Sequence, residues 1–130
     1  MIENTIETWH KVVEGKDMSL LEDLLAEDAV FHSPVVHTPQ RGKAITALYL
    51  TAAAGVFDGH DFHYVREVVS GSNAVLEFET ELDGIHINGV DMIRWNDEGQ
   101  IVDFKVMIRP LKAVNLLHQM MGEMLTKISA

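Results

Sequence analysis

At 130 residues, with 47% hydrophobic and 23% charged residues, the chain has the length and composition of one soluble globular domain, expected to span 1–130. It has no cysteine, which excludes disulfides, thiolate metal sites and a cysteine nucleophile, and which fits a cytoplasmic location. Twenty acidic residues against ten basic ones, a net charge of −10, argue against nucleic-acid and anionic-membrane partners, and no run approaches the ~20 apolar residues of a membrane span.

In chain order, Ile2, Ile6, Trp9 and Val13 recur at three- and four-residue steps and predict an amphipathic helix over 2–14, ended by Gly15. Asp17 reads as the N-cap of a second helix whose apolar stripe is Leu20, Leu21, Leu24 and Leu25. AVFHSPV, 29–35, predicts a short strand that Pro34 pushes to an edge or a bulge, and HTPQRGK a loop. AITALYLTAAAGVF, 44–57, is apolar almost all round, which predicts a buried third helix.

From residue 62 the period changes to two. FHYVREVVSG is a strand, and NAVLEFETELDG sets Leu76, Phe78, Thr80 and Leu82 against a solvated row of Glu77, Glu79 and Glu81. GVDMIRWNDEGQIVDFKVMIRP then predicts a hairpin turning at 96–99, with Gly99 supplying a positive φ. Residues 111–128 close the chain as a helix. Helices first, then a run of antiparallel strands, then a terminal helix predict an α+β fold: N-terminal helices on a curved sheet. The strand 86–95 carries Val90 and Met92 on the face opposite Asp91, so both faces are partly apolar; the terminal helix or a second copy of the chain is expected to cover the outer one, and we favour the homodimer.

Asp91 is the conspicuous residue. Alternation puts it with Ile87, Gly89, Ile93 and Trp95 on a face otherwise made for a core. Desolvation there raises a carboxyl pKa, leaving a group that donates a hydrogen bond when neutral and acts as a base when ionised. His32 or Ser33, on opposite faces of the strand 29–35, is the expected assistant. Trp9, Tyr49, Phe78, Trp95 and Phe104 are the candidate lining of a ligand pocket. The histidines form no HxH, HxxxH or HExxH pair, so no metal is expected; neither GxGxxG nor a Walker sequence occurs, and no cofactor is expected.

The segments AEDAVFHSPV, RGKAITALY and GVDMIRWNDEGQIVDF, with the order of elements, resemble the nuclear transport factor 2-like superfamily and within it the SnoaL-like group. The resemblance implies a cone-shaped α+β barrel with an apolar pocket open at one end. It implies that Asp91 stands where ketosteroid isomerases hold a protonated Asp, and Trp9 near their helix-borne Tyr. Ser33 stands at the position of their general base, and a serine hydroxyl is no base near neutral pH. Gly89 replaces the Arg of the epoxide hydrolase pattern. The polyketide cyclase pattern, an Asp in this strand with His and hydroxyl groups nearby, is compatible. The expected function is a pocket for a small, apolar, carbonyl-bearing molecule, as a cofactor-free isomerase, cyclase or hydrolase using Asp91; the alternative is a non-catalytic binding or dimerisation domain.

Overall fold

The computed structural model describes residues 3–15 and 17–129, so Ile2 of the predicted first helix lies outside the described residues. Helix α1, Thr5–Gly15, opens where the Asn4 carboxamide accepts the Glu7 amide at 3.0 Å, and it buries Ile6, Trp9 and Val12 along one stripe. Helix α2, Ser19–Leu24, follows Asp17, whose carboxylate accepts the Ser19 amide at 3.1 Å. Leu25, expected in that helix, is already extended (φ −91°, ψ 133°) and fully buried; it opens strand β1, Leu25–His32. Burial of Leu25 serves the sheet as well as it would a helix stripe, so apolar spacing alone did not place the boundary.

A two-residue strand β2, Gln40–Arg41, interrupts the expected loop and pairs with β1. Helix α3 is Lys43–Phe57, and the strands β3, His63–Ser70, β4, Asn73–Leu82, β5, Ile85–Trp95, and β6, Ile101–Arg109, precede helix α4, Leu111–Ser129. The result is the predicted α+β architecture, with one curved six-stranded sheet ordered β2-β1-β6-β5-β4-β3. All neighbouring strands are antiparallel except β1 and β6, which run parallel and are separated in the chain by β2, helix α3 and the β3–β5 meander. The β4–β5 hairpin turns on Asp83 and Gly84, both at positive φ (51° and 76°), the conformation of a tight two-residue turn. Gly99 has φ 80°, as expected, and Asn96 Oδ1 accepts the amides of Glu98 and Gln100 at 3.0 Å. Thr5 donates its hydroxyl to the Gly99 carbonyl at 2.8 Å and so ties α1 to that turn.

The helix side of the sheet carries the core. Leu76, Phe78, Thr80 and Leu82 of β4 and Ile87, Asp91 and Ile93 of β5 face inward, as period two demands. Among the described residues no helix is long and apolar enough to cross a membrane. Register sets Gly89 opposite Phe78 on one side and Ile108 on the other. A Cβ at Gly89 would lie 2.4 Å from Phe78 Cζ, 2.7 Å from Ile108 Cδ1 and 2.8 Å from the Met107 carbonyl oxygen. The Phe78 ring therefore lies down on bare backbone, and no side chain, still less an arginine, fits at position 89 without repacking.

Gly89→Ala is accordingly expected to lower stability by roughly 1–3 kcal/mol in urea unfolding. Combining it with Phe78→Leu should recover part of the loss, and strict additivity of the two changes would show that the ring is not the obstacle.

Candidate active site

Between the sheet and helices α1, α3 and α4 lies a cavity of about 490 Å³, within the range of about 300–1,000 Å³ usual for small-molecule sites. Two clusters of buried apolar side chains contribute to its wall, one through Trp9, Phe31 and Phe104, the other through Phe78 and Leu117. Helix α3 is apolar on nearly every side because Leu50, Ala53, Ala54 and Phe57 line the cavity while Thr46 and Ala52 are buried. Small side chains at 53 and 54 leave room that larger ones would fill.

Asp91 reaches the cavity from the middle of β5 and is 6% exposed. Register places it between Leu76 and Val106. Its Oδ2 accepts the Tyr64 hydroxyl at 2.5 Å, and the Tyr64 oxygen accepts the Trp9 indole N–H at 2.9 Å. The direction of this chain is forced. An indole N–H only donates, so Tyr64 must accept from Trp9 and its own proton goes to Asp91. Asp91 Oδ2 is therefore an acceptor in either protonation state, and the proton that Asp91 gains or loses sits on Oδ1, which has no protein partner among the described residues. Burial pushes the Asp91 pKa up to about 7 from 3.8, against the opposing pull of the Tyr64 bond. Burial, and then the negative charge of Asp91, hold the Tyr64 phenol well above its ordinary range, so it stays neutral.

Tyr64 was not singled out from the sequence. Simple alternation along FHYVREVV groups it with Arg66, a solvent residue. The structure has a bulge between them: Tyr64 pairs with Phe78 on the inner face, whereas Arg66 pairs with Glu77 and binds its carboxylate at 2.8 Å on the outer face. One extra residue, Val65, turns the tyrosine inward. The ring is held edge-on by Phe62 (centroids 5.3 Å) and by His10 (5.5 Å), whose Nε2 pairs with Glu67.

Trp9, Tyr49, Phe78 and Phe104 line the cavity with Asp91 and Ser33. Trp9 meets Phe104 edge-on at 4.9 Å, and Phe31 stacks on Tyr49 at 5.2 Å. His32 is on the other side of the sheet. Phe31 faces Phe104 inside, so the next residue points outward, where His32 Nε2 meets Asp103 Oδ1 at 2.9 Å. Ser33 stands at the end of β1, and its Oγ accepts the amides of Val35 and Val36 at 3.1 and 3.3 Å, fixing the loop that forms part of the cavity wall. Trp95, past a register shift in β5, packs on the core cluster away from the cavity. Among the described residues no three His, Asp or Glu side chains converge as metal ligands.

The sequence profile of the SnoaL-like domain family matches residues 6–104. Among solved structures, a protein from Pseudomonas aeruginosa described as a steroid delta-isomerase is 38% identical, with 100% of this chain and 98% of that one covered and a TM-score of 0.90. An uncharacterised bacterial protein with a cystatin-like fold from Silicibacter pomeroyi DSS-3 is 35% identical over 92% of this chain and 83% of that one, TM-score 0.84. An NTF2-like protein of unknown function from Mesorhizobium loti is 24% identical over 82% and 91%, TM-score 0.71, and shares the fold. No curated protein matches the sequence.

The buried carboxyl makes a signed prediction for stability. The native state keeps the Asp91 proton up to about pH 7, whereas an unfolded chain releases it near 3.8. Between those values the native state binds more protons, so this group's contribution to stability falls as pH rises and is flat above about 7. Asp91→Asn removes that penalty: it should unfold at higher denaturant than the parent at pH 8, by on the order of 2–4 kcal/mol, and with no excess below pH 4. An equal effect at both pH values would mean that the carboxyl is not held neutral by burial.

Proposed function

The chain belongs to the SnoaL-like domain family, and we propose that it is a cofactor-free acid–base enzyme that moves a proton on a small, apolar, carbonyl-bearing molecule held in the cavity. The observation that carries this reading is the pairing of Tyr64 with a deeply buried Asp91 whose second oxygen faces open apolar space. A carboxyl with a pKa of about 7 is half ionised at neutral pH, so it takes and returns protons with equal ease. The description of the 38% identical Pseudomonas aeruginosa protein as a steroid delta-isomerase supports the same class of chemistry.

The step balances with one carboxyl. Asp91 Oδ1 takes a proton from the carbon beside the carbonyl, the C–H electron pair enters an enolate, and Asp91 becomes neutral. The same proton then returns to the carbon two positions along, and the double bond has shifted. Ser33 cannot replace Asp91 as base, because a serine hydroxyl holds its proton at neutral pH. Trp9 and Tyr64 spend their protons on the chain to Asp91, so the donor for the enolate oxygen is the Tyr49 hydroxyl, which lines the cavity and has no protein partner among the described residues.

Conversion of a β,γ-unsaturated cyclic ketone to its conjugated isomer, followed by ultraviolet absorbance, tests this. The rate should rise with pH through an inflection near 7, and Asp91→Asn should lower kcat at least about a thousandfold. Tyr64→Phe removes the bond that pulls the Asp91 pKa down, so the inflection should move to higher pH. Saturable binding without turnover in the parent would favour a non-catalytic ligand-binding domain.

On this reading the protein works as a homodimer. The outer sheet face exposes Val68, Val75, Met92 and Met107, the last by 50%, a density of apolar side chains that favours coverage by a second copy. Met107→Lys should convert the dimer to monomer in sedimentation equilibrium, and a parent protein that sediments as a monomer at micromolar concentration would remove the dimer.

A further inference from the structure

The cavity is chemically lopsided, and both ends are built. Its inner end holds the Trp9, Tyr64 and Asp91 chain, with the buried Asp91 offering an unpartnered oxygen to whatever occupies the space. Its middle is apolar. At the mouth the wall is formed by the end of α1, the 33–36 loop, the end of α3 and α4, and there Glu14 and Asp61 bring solvent-exposed carboxylates to the lining. No lysine or arginine is among the described residues of the wall; the basic groups nearby are His118 on α4 and His63, whose Nδ1 is 3.9 Å from Asp61 Oδ2.

We propose that this mouth selects ligands by charge: the site takes an apolar carbonyl compound that carries no anionic group, and a cationic group at the end remote from the carbonyl strengthens binding. The inference rests on the ligand-binding part of the proposed function and adds its substrate class. A ligand seated with its carbonyl toward Tyr49 and Asp91 leaves its far end between Glu14 and Asp61. An ammonium there is attracted, a carboxylate or phosphate is repelled, and no described cation on the wall compensates an anion. Acyl carboxylates, sulfate conjugates and phosphorylated thioesters are thereby disfavoured as substrates, even where their apolar bodies fit. The net charge of −10 acts in the same direction on approach.

Three aryl ketones with one common body, ending in methyl, trimethylammonium or carboxylate, test this by isothermal titration calorimetry. The measurement is made at low ionic strength and pH 8, above the range in which histidine side chains usually carry charge. The trimethylammonium probe should bind at least about fivefold tighter than the methyl probe, and the carboxylate probe at least about fivefold weaker. In 0.5 M salt the three should converge to within about twofold. A Glu14→Gln, Asp61→Asn double variant should bring the same convergence at low salt, with its circular dichroism unchanged. A carboxylate probe that binds as well as the methyl probe overturns the inference, as does a ranking that survives in the double variant or the failure of all three to bind. Asp91→Asn separates the two claims: turnover is lost while the ranking stays. A ranking that fails alongside normal, Asp91-dependent turnover removes the charge selection and leaves the acid–base reading standing.

Discussion

A carboxyl group buried in an apolar wall with a single hydrogen bond is unfavourable wherever it occurs, and the architecture around Asp91 is arranged so that the chain tolerates it. Ionised, it would cost several kcal/mol without compensation. Protonated, it costs far less, and burial drives it in that direction until the pKa reaches about 7. The Tyr64 bond limits the drift, because a hydroxyl donor stabilises the charged form. The indole N–H of Trp9 sets the polarity of the whole chain, since it can only give its hydrogen. One donor-only group on α1 therefore dictates which oxygen of a carboxyl on β5 is left for chemistry.

Several unrelated devices hold that arrangement. The bulge at Val65 turns Tyr64 inward on a strand whose remaining residues are largely exposed. The missing side chain at Gly89 lets the Phe78 ring lie close on the sheet, in space that a larger residue would take. Parallel pairing of β1 with β6 sets Phe31 against Phe104, which extends an aromatic row from Trp9 to Tyr49. Each is a local departure from the simplest helix or strand. Together they convert what would be a packed core into a walled cavity with one polar end.

Much of this was legible in the sequence. Period-two spacing placed Leu76, Phe78, Asp91 and Phe104 on inner faces, and the helices and the four long strands lie where their patterns put them, within a few residues at each end. The Asn96–Gly99 turn followed from turn chemistry alone. Two kinds of information were not available from spacing. Bulges are invisible to a period of two, which cannot separate the face of Tyr64 from that of the solvated Arg66, and without Tyr64 nothing in the spacing supplies the partner of the buried Trp9 N–H. Boundaries inside continuous apolar runs are equally silent: Leu24 and Leu25 are both fully buried, one closing a helix and the other opening a strand. For His32 and Ser33 the alternation was informative and left a choice. A parallel register that seats Phe31 on Phe104 put Ser33 at the cavity and His32 against Asp103.

Among the described residues the inner end holds no second carboxyl, and this constrains the proposed chemistry more than the presence of Asp91 does. The other carboxyls of the wall, Glu14, Asp58 and Asp61, belong to exposed residues at the mouth. An inverting or water-activating mechanism needs one group to give a proton while another takes one. With one buried carboxyl the donor and the acceptor are the same atom at different times, and the reaction most natural to it begins and ends with Asp91 in the same state. A proton shift within one molecule meets that condition; a hydrolysis has to find its second proton elsewhere. Tyr64 suits the shift as well. Its bond to Oδ2 is short at 2.5 Å and persists whether Oδ1 is charged or neutral, so the base turns over without breaking the hydrogen bond that holds it.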